Sequence, residues 1–227
     1  MAFPLSDSFD EIFSQLTLRN PHGGPPRKIL FWGEGVGEIS SYVAGWMAGE
    51  GIDVIVLDGA NRFDPYMVST FAKRASISPE GLLKRIRIAR AFTCYQMTAL
   101  VEEKLISLLK KEEGATHFSP PRVILLGPVT TFLDEDVSER EVRPLFERLL
   151  RKVEEMAKGG VPFFFFQPSV PSTLRVYLAR RLFQISDLVW KISSEEEGPK
   201  LVLEKTRDAG VRDWGLGIRP QIEKSKI

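Results

Sequence analysis

Ile29-Leu-Phe-Trp-Gly33-Glu-Gly35-Val-Gly37-Glu-Ile-Ser40 is an apolar strand running into a glycine turn that opens a helix. Phosphate-binding loops of the form G-x-x-x-x-G-K-[ST] occupy this setting, with backbone amides and one lysine holding the phosphates. Counted from Gly33, the second glycine position is Glu38, the lysine position is Ile39, and only the hydroxyl position, Ser40, is kept. A carboxylate about 5 Å from a phosphate repels each of its charges by roughly 3 kcal/mol at an effective dielectric near 20, and the missing lysine forfeits a similar attraction. The stretch has the shape of a nucleotide loop without its charge.

Working outward, short apolar runs alternate with amphipathic helices from Lys28 onward, with strands expected at 28–32, 53–57, 85–89, 122–126 and 161–166. That alternation predicts an α/β fold, a parallel sheet with helices on both faces. Val142, Leu145, Phe146, Leu149, Leu150, Val153 and Met156 form one apolar stripe of a helix after the fourth strand. Its start is ambiguous. Ser138 and Glu141 have capping-box spacing, but Pro144 then falls in the second turn and fits a first turn only if the helix begins nearer Arg143. Another helix, with Leu174, Leu178, Leu182 and Ile185 on one face, precedes strands at 188–192 and 200–205, which a solvated Ser-Ser-Glu-Glu-Glu-Gly-Pro turn joins into a C-terminal hairpin. Phe163 to Phe166 reads as a central strand buried on both faces. Three segments are expected: an N-terminal helical arm with a Pro/Gly linker (1–26), a core domain (27–207) and a tail (208–227).

The 227 residues, 43% hydrophobic and 27% charged, can bury a full core, and a net charge of +1 gives no global pull toward nucleic acid or membrane. Cys94 is the one cysteine and His22 and His117 the only imidazoles, so no metal centre of Cys and His is expected. No basic region followed by an apolar run marks the N-terminus and no run approaches ~20 apolar residues, so the expectation is a cytoplasmic protein with no membrane partner.

Past the glycine loop come Val-Leu-Asp58-Gly-Ala-Asn-Arg-Phe63-Asp-Pro65 at the end of the second strand, Ala89-Arg90-Ala91-Phe92 followed by Gln96, and the closing Gln167 of the phenylalanine strand. These strings resemble the ATPase core of RecA-like recombinases, especially their archaeal and eukaryotic branch. The resemblance spans roughly residues 27–205 and implies a RecA-like sheet. It also implies what is absent. The acidic residue that positions the attacking water is replaced by Ala60, and the aspartate expected at the end of the fourth strand is missing where Leu126 meets Gly127-Pro128. Phosphoryl transfer depends on positioning and charge, so losing lysine, aspartate and glutamate together should remove hydrolysis. The resemblance therefore implies a non-hydrolysing accessory paralogue that needs no cofactor. It would work as a homo-oligomer, or as a hetero-oligomer with a RecA-like homologue, in DNA repair or recombination.

Two alternatives stay open. One is an ATPase with an unconventional loop in which Ser40, Asp58 and Gln167 contribute, binding ATP and magnesium with a partner's help. The other is a glycine-loop protein for adenosyl or dinucleotide ligands, since Gly35-x-Gly37-x-x-Ser40 follows a strand and Asp58 lies about twenty residues on. The candidate anion or nucleotide site is therefore Gly33, Gly35, Gly37, Ser40, Asp58 and Gln167, with no catalytic residue assigned. Each has a plain structural reading too, the glycines as a tight turn and Asp58, Asn61, Arg62 and Asp64 as a solvated rim. Candidate nucleic-acid or partner contacts are Arg62, Arg90, Arg175 and Arg180. Arg175 and Arg180, about 140° apart on a helix, do not form one DNA-facing stripe, and Asp134-Glu-Asp136 would repel phosphates. Cys94 reads as a packing residue, and Phe92 is expected in the core.

Overall fold

The alternation of runs becomes a single seven-stranded sheet. The structure, a computed structural model, describes residues 27–112, 120–170, 175–195 and 198–206. The expected arm (1–26), the whole tail (208–227) and Leu174 lie outside the described residues.

The strands are β1 (Lys28–Gly33), β2 (Val54–Asp58), β3 (Ile86–Arg90), β4 (Arg122–Leu126), β5 (Phe163–Pro168), β6 (Leu188–Glu195) and β7 (Gly198–Lys205). Their order is β3-β2-β4-β5-β1-β6-β7, parallel throughout except that β7 runs antiparallel to β6. The predicted α/β class with helices on both faces and a terminal hairpin is the observed one. The hairpin is longer than expected: Ser193 and Ser194 pair with Lys200 and Pro199, so the serines placed in a turn by composition belong to the ladder.

Helices α1 (Val36–Gly49), α2 (Pro65–Arg74) and α3 (Pro79–Lys84) cover one face. The other face is covered by α4 (Cys94–Ala99), a π-helical stretch (Leu100–Leu105) leading into α5 (Ile106–Glu112), α6 (Glu139–Lys158) and α7 (Val176–Ile185). The period-2 geometry of a strand explains how β5 serves both layers. Phe164 and Phe166 enter the core under α1, Phe163 and Phe165 the core under α6, and all four are fully buried. Phe166 stacks on Phe31 of β1 at 5.0 Å between ring centroids. A strand so placed cannot be an edge, and β5 lies between β4 and β1.

Helix α6 begins at Glu139 with Pro144 inside it, which resolves the ambiguous start in favour of the earlier position. Ser138 Oγ donates to Glu141 at 3.0 Å rather than capping an amide. Pro144 has no N–H to give the Arg140 carbonyl, a loss tolerated because Val142, Phe146, Leu149, Leu150, Val153 and Ala157 bury the opposite stripe. Among the described residues, no helix is long and apolar enough to cross a membrane.

Candidate functional site

Open α/β sheets bind ligands beyond the carboxyl ends of their strands, and most of the predicted site residues fall at that edge. The turn after β1 is very short. Only Glu34 and Gly35 separate β1 from α1, so the positions of the motif's second glycine and lysine, Glu38 and Ile39, already lie in the first turn of the helix. Gly33 has φ +125°, and a Cβ there would sit 2.1 Å from the Ile192 carbonyl oxygen of β6. Gly35, at φ +65°, is the helix N-cap and offers no side-chain acceptor. A phosphate cradle needs several successive loop amides converging on one point; here the chain enters its helix before such a loop can form. Ile39 is buried in the core, where a lysine would have to bring its ammonium. The crevice left beside it, about 10 Å³, is lined by Glu34, Gly35, Glu38, Ile39, Met67, Ser194 and Pro199. That volume suits about one water molecule, and the Glu34 carboxylate, which accepts from Ser194 N–H at 3.2 Å, gives the crevice the wrong sign for an anion.

Gly37 has a different use. A Cβ on it would come within 2.9 Å of Arg62 Cβ and 3.1 Å of the Arg62 carbonyl oxygen, so its bare backbone lets the β2–α2 loop press onto α1. Ser40 Oγ turns back to donate to the Gly37 carbonyl at 2.8 Å and is fully buried. Its neighbour Ser41, which sequence reasoning missed, donates to the same carbonyl at 2.9 Å and accepts from Asp64 N–H at 2.9 Å, tying helix to loop.

Asp58 holds that loop from inside. Its carboxylate is fully buried and accepts from Ala60 N–H (3.2 Å), Arg62 N–H (3.2 Å) and Phe63 N–H (3.0 Å). Arg90, opposite it in the β2–β3 register, approaches to 3.6 Å and also donates to the Phe63 carbonyl at 3.3 Å. Every contact of Asp58 is internal. The strand order also bears on the dinucleotide alternative. Rossmann folds place the glycine-turn strand beside the strand carrying the ribose-binding acid, whereas β4 and β5 intervene here and put Asp58 three strand spacings, about 14 Å, from β1.

The loops after β2 and β4 meet backbone to backbone. Gly59 N–H donates to the Leu126 carbonyl at 2.8 Å and Gly127 N–H to the Phe166 carbonyl at 2.7 Å. Gly127 has φ +63°, and a Cβ on it would lie 2.6 Å from Ala60 Cβ, 2.9 Å from Ala60 N and 2.7 Å from Thr130 Oγ1. Ala60 and Gly127, where the resemblance leads one to look for two acidic groups, are therefore packed against each other. Gln167 completes the closure, its Oε1 accepting from Val129 N–H at 2.9 Å and its Nε2 donating to the Pro168 carbonyl at 2.9 Å.

The arginines divide. Arg62 and Arg180 have exposed side chains, whereas Arg175 is consumed locally. The Arg175 guanidinium donates to the carbonyls of Phe132, Asp134 and Val137 and pairs with Glu139 at 3.2 Å, locking the loop between β4 and α6. Such a role has no sequence signal because its partners are backbone atoms some forty residues away. Arg181 pairs with Glu147 across α7 and α6 at 3.0 Å.

The segment after β3 corrects the expectation for Phe92, which is 66% exposed. Thr93 caps α4 by accepting from Gln96 N–H at 3.2 Å, and Gln96 Oε1 accepts from Phe92 N–H at 2.8 Å, a reciprocal cap that turns the Phe92 ring outward. Gln96 is thereby occupied by its own helix. Tyr95 donates its hydroxyl to Glu141 of α6. This bond, with that from Ser138, holds the Glu141 carboxyl below the usual carboxylate range and pushes the Tyr95 phenol up. Burial raises the Cys94 thiol, as suits a packing residue.

Gly37, Ser40, Arg62, Asp58 and Arg90 thus form one connected network, Gln167 closes the neighbouring loop, and Arg175 and Arg180 stand apart. Among the described residues no group of three or more His, Cys, Asp or Glu side chains is placed to hold a metal ion. A surface concavity of about 530 Å³ lies on α6 and α7, between Pro144 and the charged side chains of Glu147, Arg148, Arg151, Glu154 and Arg181. A scan of the sequence against protein-family models finds no match.

Proposed function

We propose that the chain is a RecA-like recombinase-paralogue accessory protein that does not hydrolyse nucleotide and acts through protein partners in DNA repair or recombination. The observation that carries this reading is the close packing of Gly127 against Ala60, together with a small crevice after β1 lined by Ile39, Glu34 and Glu38. Phosphoryl transfer needs metal-held phosphates and a positioned water, and the close approach of Gly127 to Ala60, with no lysine or acid at the matching positions, supports the non-hydrolysing reading. The strings around Asp58, Arg90 and Gln167 support kinship with the recombinase core, and each now serves the architecture of the sheet edge. A fold can outlive its chemistry and act as a scaffold, and the partner in this reading is a RecA-like homologue.

Calorimetric titration with ATP and magnesium, paired with a phosphate-release assay, tests it. Binding weaker than about millimolar, ~4 kcal/mol, and no turnover are expected. Micromolar affinity or measurable hydrolysis would overturn the proposal.

A further inference from the structure

Phe92, just before the cap of α4, and Tyr95, in its first turn, are two large aromatic side chains 66% and 49% exposed, with the Thr93–Gln96 cap fixing the backbone between them. The start of α6 lies beside Tyr95, which bonds Glu141, and the loop after β4 leads into it. That loop is acidic and exposed, with Asp134, Glu135 and Asp136 followed by Glu139 and Glu141. The cations nearest in the chain do not neutralise the whole set. Arg175 is spent on loop carbonyls and Glu139, Arg90 on Asp58 and Phe63, Arg143 lies over the Tyr177 ring, and Arg140 is interleaved with the acids.

We infer that this aromatic and acidic face docks an arginine-rich, partly apolar segment of a partner protein. Guanidinium groups stack on aromatic faces and donate paired hydrogen bonds to carboxylates, so one side-chain type satisfies both halves of the surface. Phosphate backbones are repelled by the same carboxylates. The face is also pre-organised: Arg175, itself held at φ +33°, pins the carbonyls of Phe132, Asp134 and Val137, so little loop ordering remains for binding to complete. The inference rests on the reading above only for the existence of a protein partner.

The test is fluorescence anisotropy on the full chain with a short labelled peptide alternating Arg and Leu. A twin carrying Glu for Arg, and a single-stranded oligonucleotide, serve as comparisons. The Arg peptide should bind in a salt-sensitive manner. Phe92→Ser, and separately Glu135→Lys with Asp136→Lys, should each weaken it at least about tenfold, about 1.4 kcal/mol. Both variants change exposed side chains, and unchanged melting midpoints would show that they fold. Absent binding, equal binding to all variants, or preference for the Glu twin would overturn the inference. So would oligonucleotide binding lost in Phe92→Ser, or self-association in sedimentation that Phe92→Ser abolishes, which would make the occupant a second copy. ATP turnover would sink the scaffold reading while leaving the peptide result intact.

Discussion

Gly127→Ala probes the contact on which the closed sheet edge depends. The substitution adds one methyl group to a residue at φ +63°, where a side chain costs about 1–2 kcal/mol. That methyl would meet Ala60 Cβ at 2.6 Å and Thr130 Oγ1 at 2.7 Å, against an optimal carbon separation of about 3.5–4.0 Å. Both loops are held by strand-end hydrogen bonds, Gly59 to Leu126 and Gly127 to Phe166, so relief requires a backbone shift, and overpacking of this kind costs about 1–3 kcal/mol. The lower entropy of the unfolded alanine chain returns about 0.4–1 kcal/mol. The net expectation is a loss of about 2–4 kcal/mol, or roughly 10 °C in melting midpoint at 2–4 °C per kcal/mol for a chain of this size. Scanning calorimetry on the variant and on the double variant with Ala60→Gly forms a double-mutant cycle. Removing the Ala60 methyl group should restore about half of the loss. A midpoint within about 1 °C of the parent, or no rescue by Ala60→Gly, would mean that the loops are not in contact and that the edge has room for a ligand.

Asp58→Ala should cost about 3–5 kcal/mol, because three backbone amides and Arg90 lose their common buried acceptor; a urea midpoint near the parent's would return Asp58 to the list of ligand contacts. Pro144→Ala restores a donor for the Arg140 carbonyl and should stabilise by about 1–2 kcal/mol, less than the full ~3 kcal/mol proline penalty because the helix has already adapted, read as a raised melting midpoint. Glu141 titrates below its usual 4.5 because Tyr95 and Ser138 donate to its charged form. A depressed folded value stabilises the protein above that pH, and the contribution is lost as pH falls through the folded value. A carboxyl titration by NMR should show the depressed midpoint moving upward in Tyr95→Phe, and an unmoved midpoint would remove the α4–α6 tie.

Much of the fold was legible in the sequence because periodicity is local. Strand starts and ends at β1 to β5 fall within a residue or two of the apolar runs, and the double-sided burial of Phe163 to Phe166 follows from an unbroken aromatic run too short for a helix. Two expectations failed, one for a local reason and one for a pairing between strands. Phe92 looked like core because it is aromatic and follows a strand, yet the capped start of α4 turns it outward. Ser193 and Ser194 looked like turn, yet β7 supplies partners for their backbone.

The sequence alone determined that the glycine turn after the first strand carries no lysine, that strands and helices alternate, and that the chain has one cysteine, two histidines and a net charge of +1. Only the tertiary structure decided that β4 and β5 separate Asp58 from the glycine turn, and that Asp58, Gln167 and Arg175 spend their polar atoms on neighbouring backbone. It likewise placed Gly127 against Ala60, residues 67 positions apart by number. Residue type specifies what a side chain can bond or exclude, but strand order brings distant loops together, and their proximity determines whether a carboxylate or glycine serves a ligand or the fold.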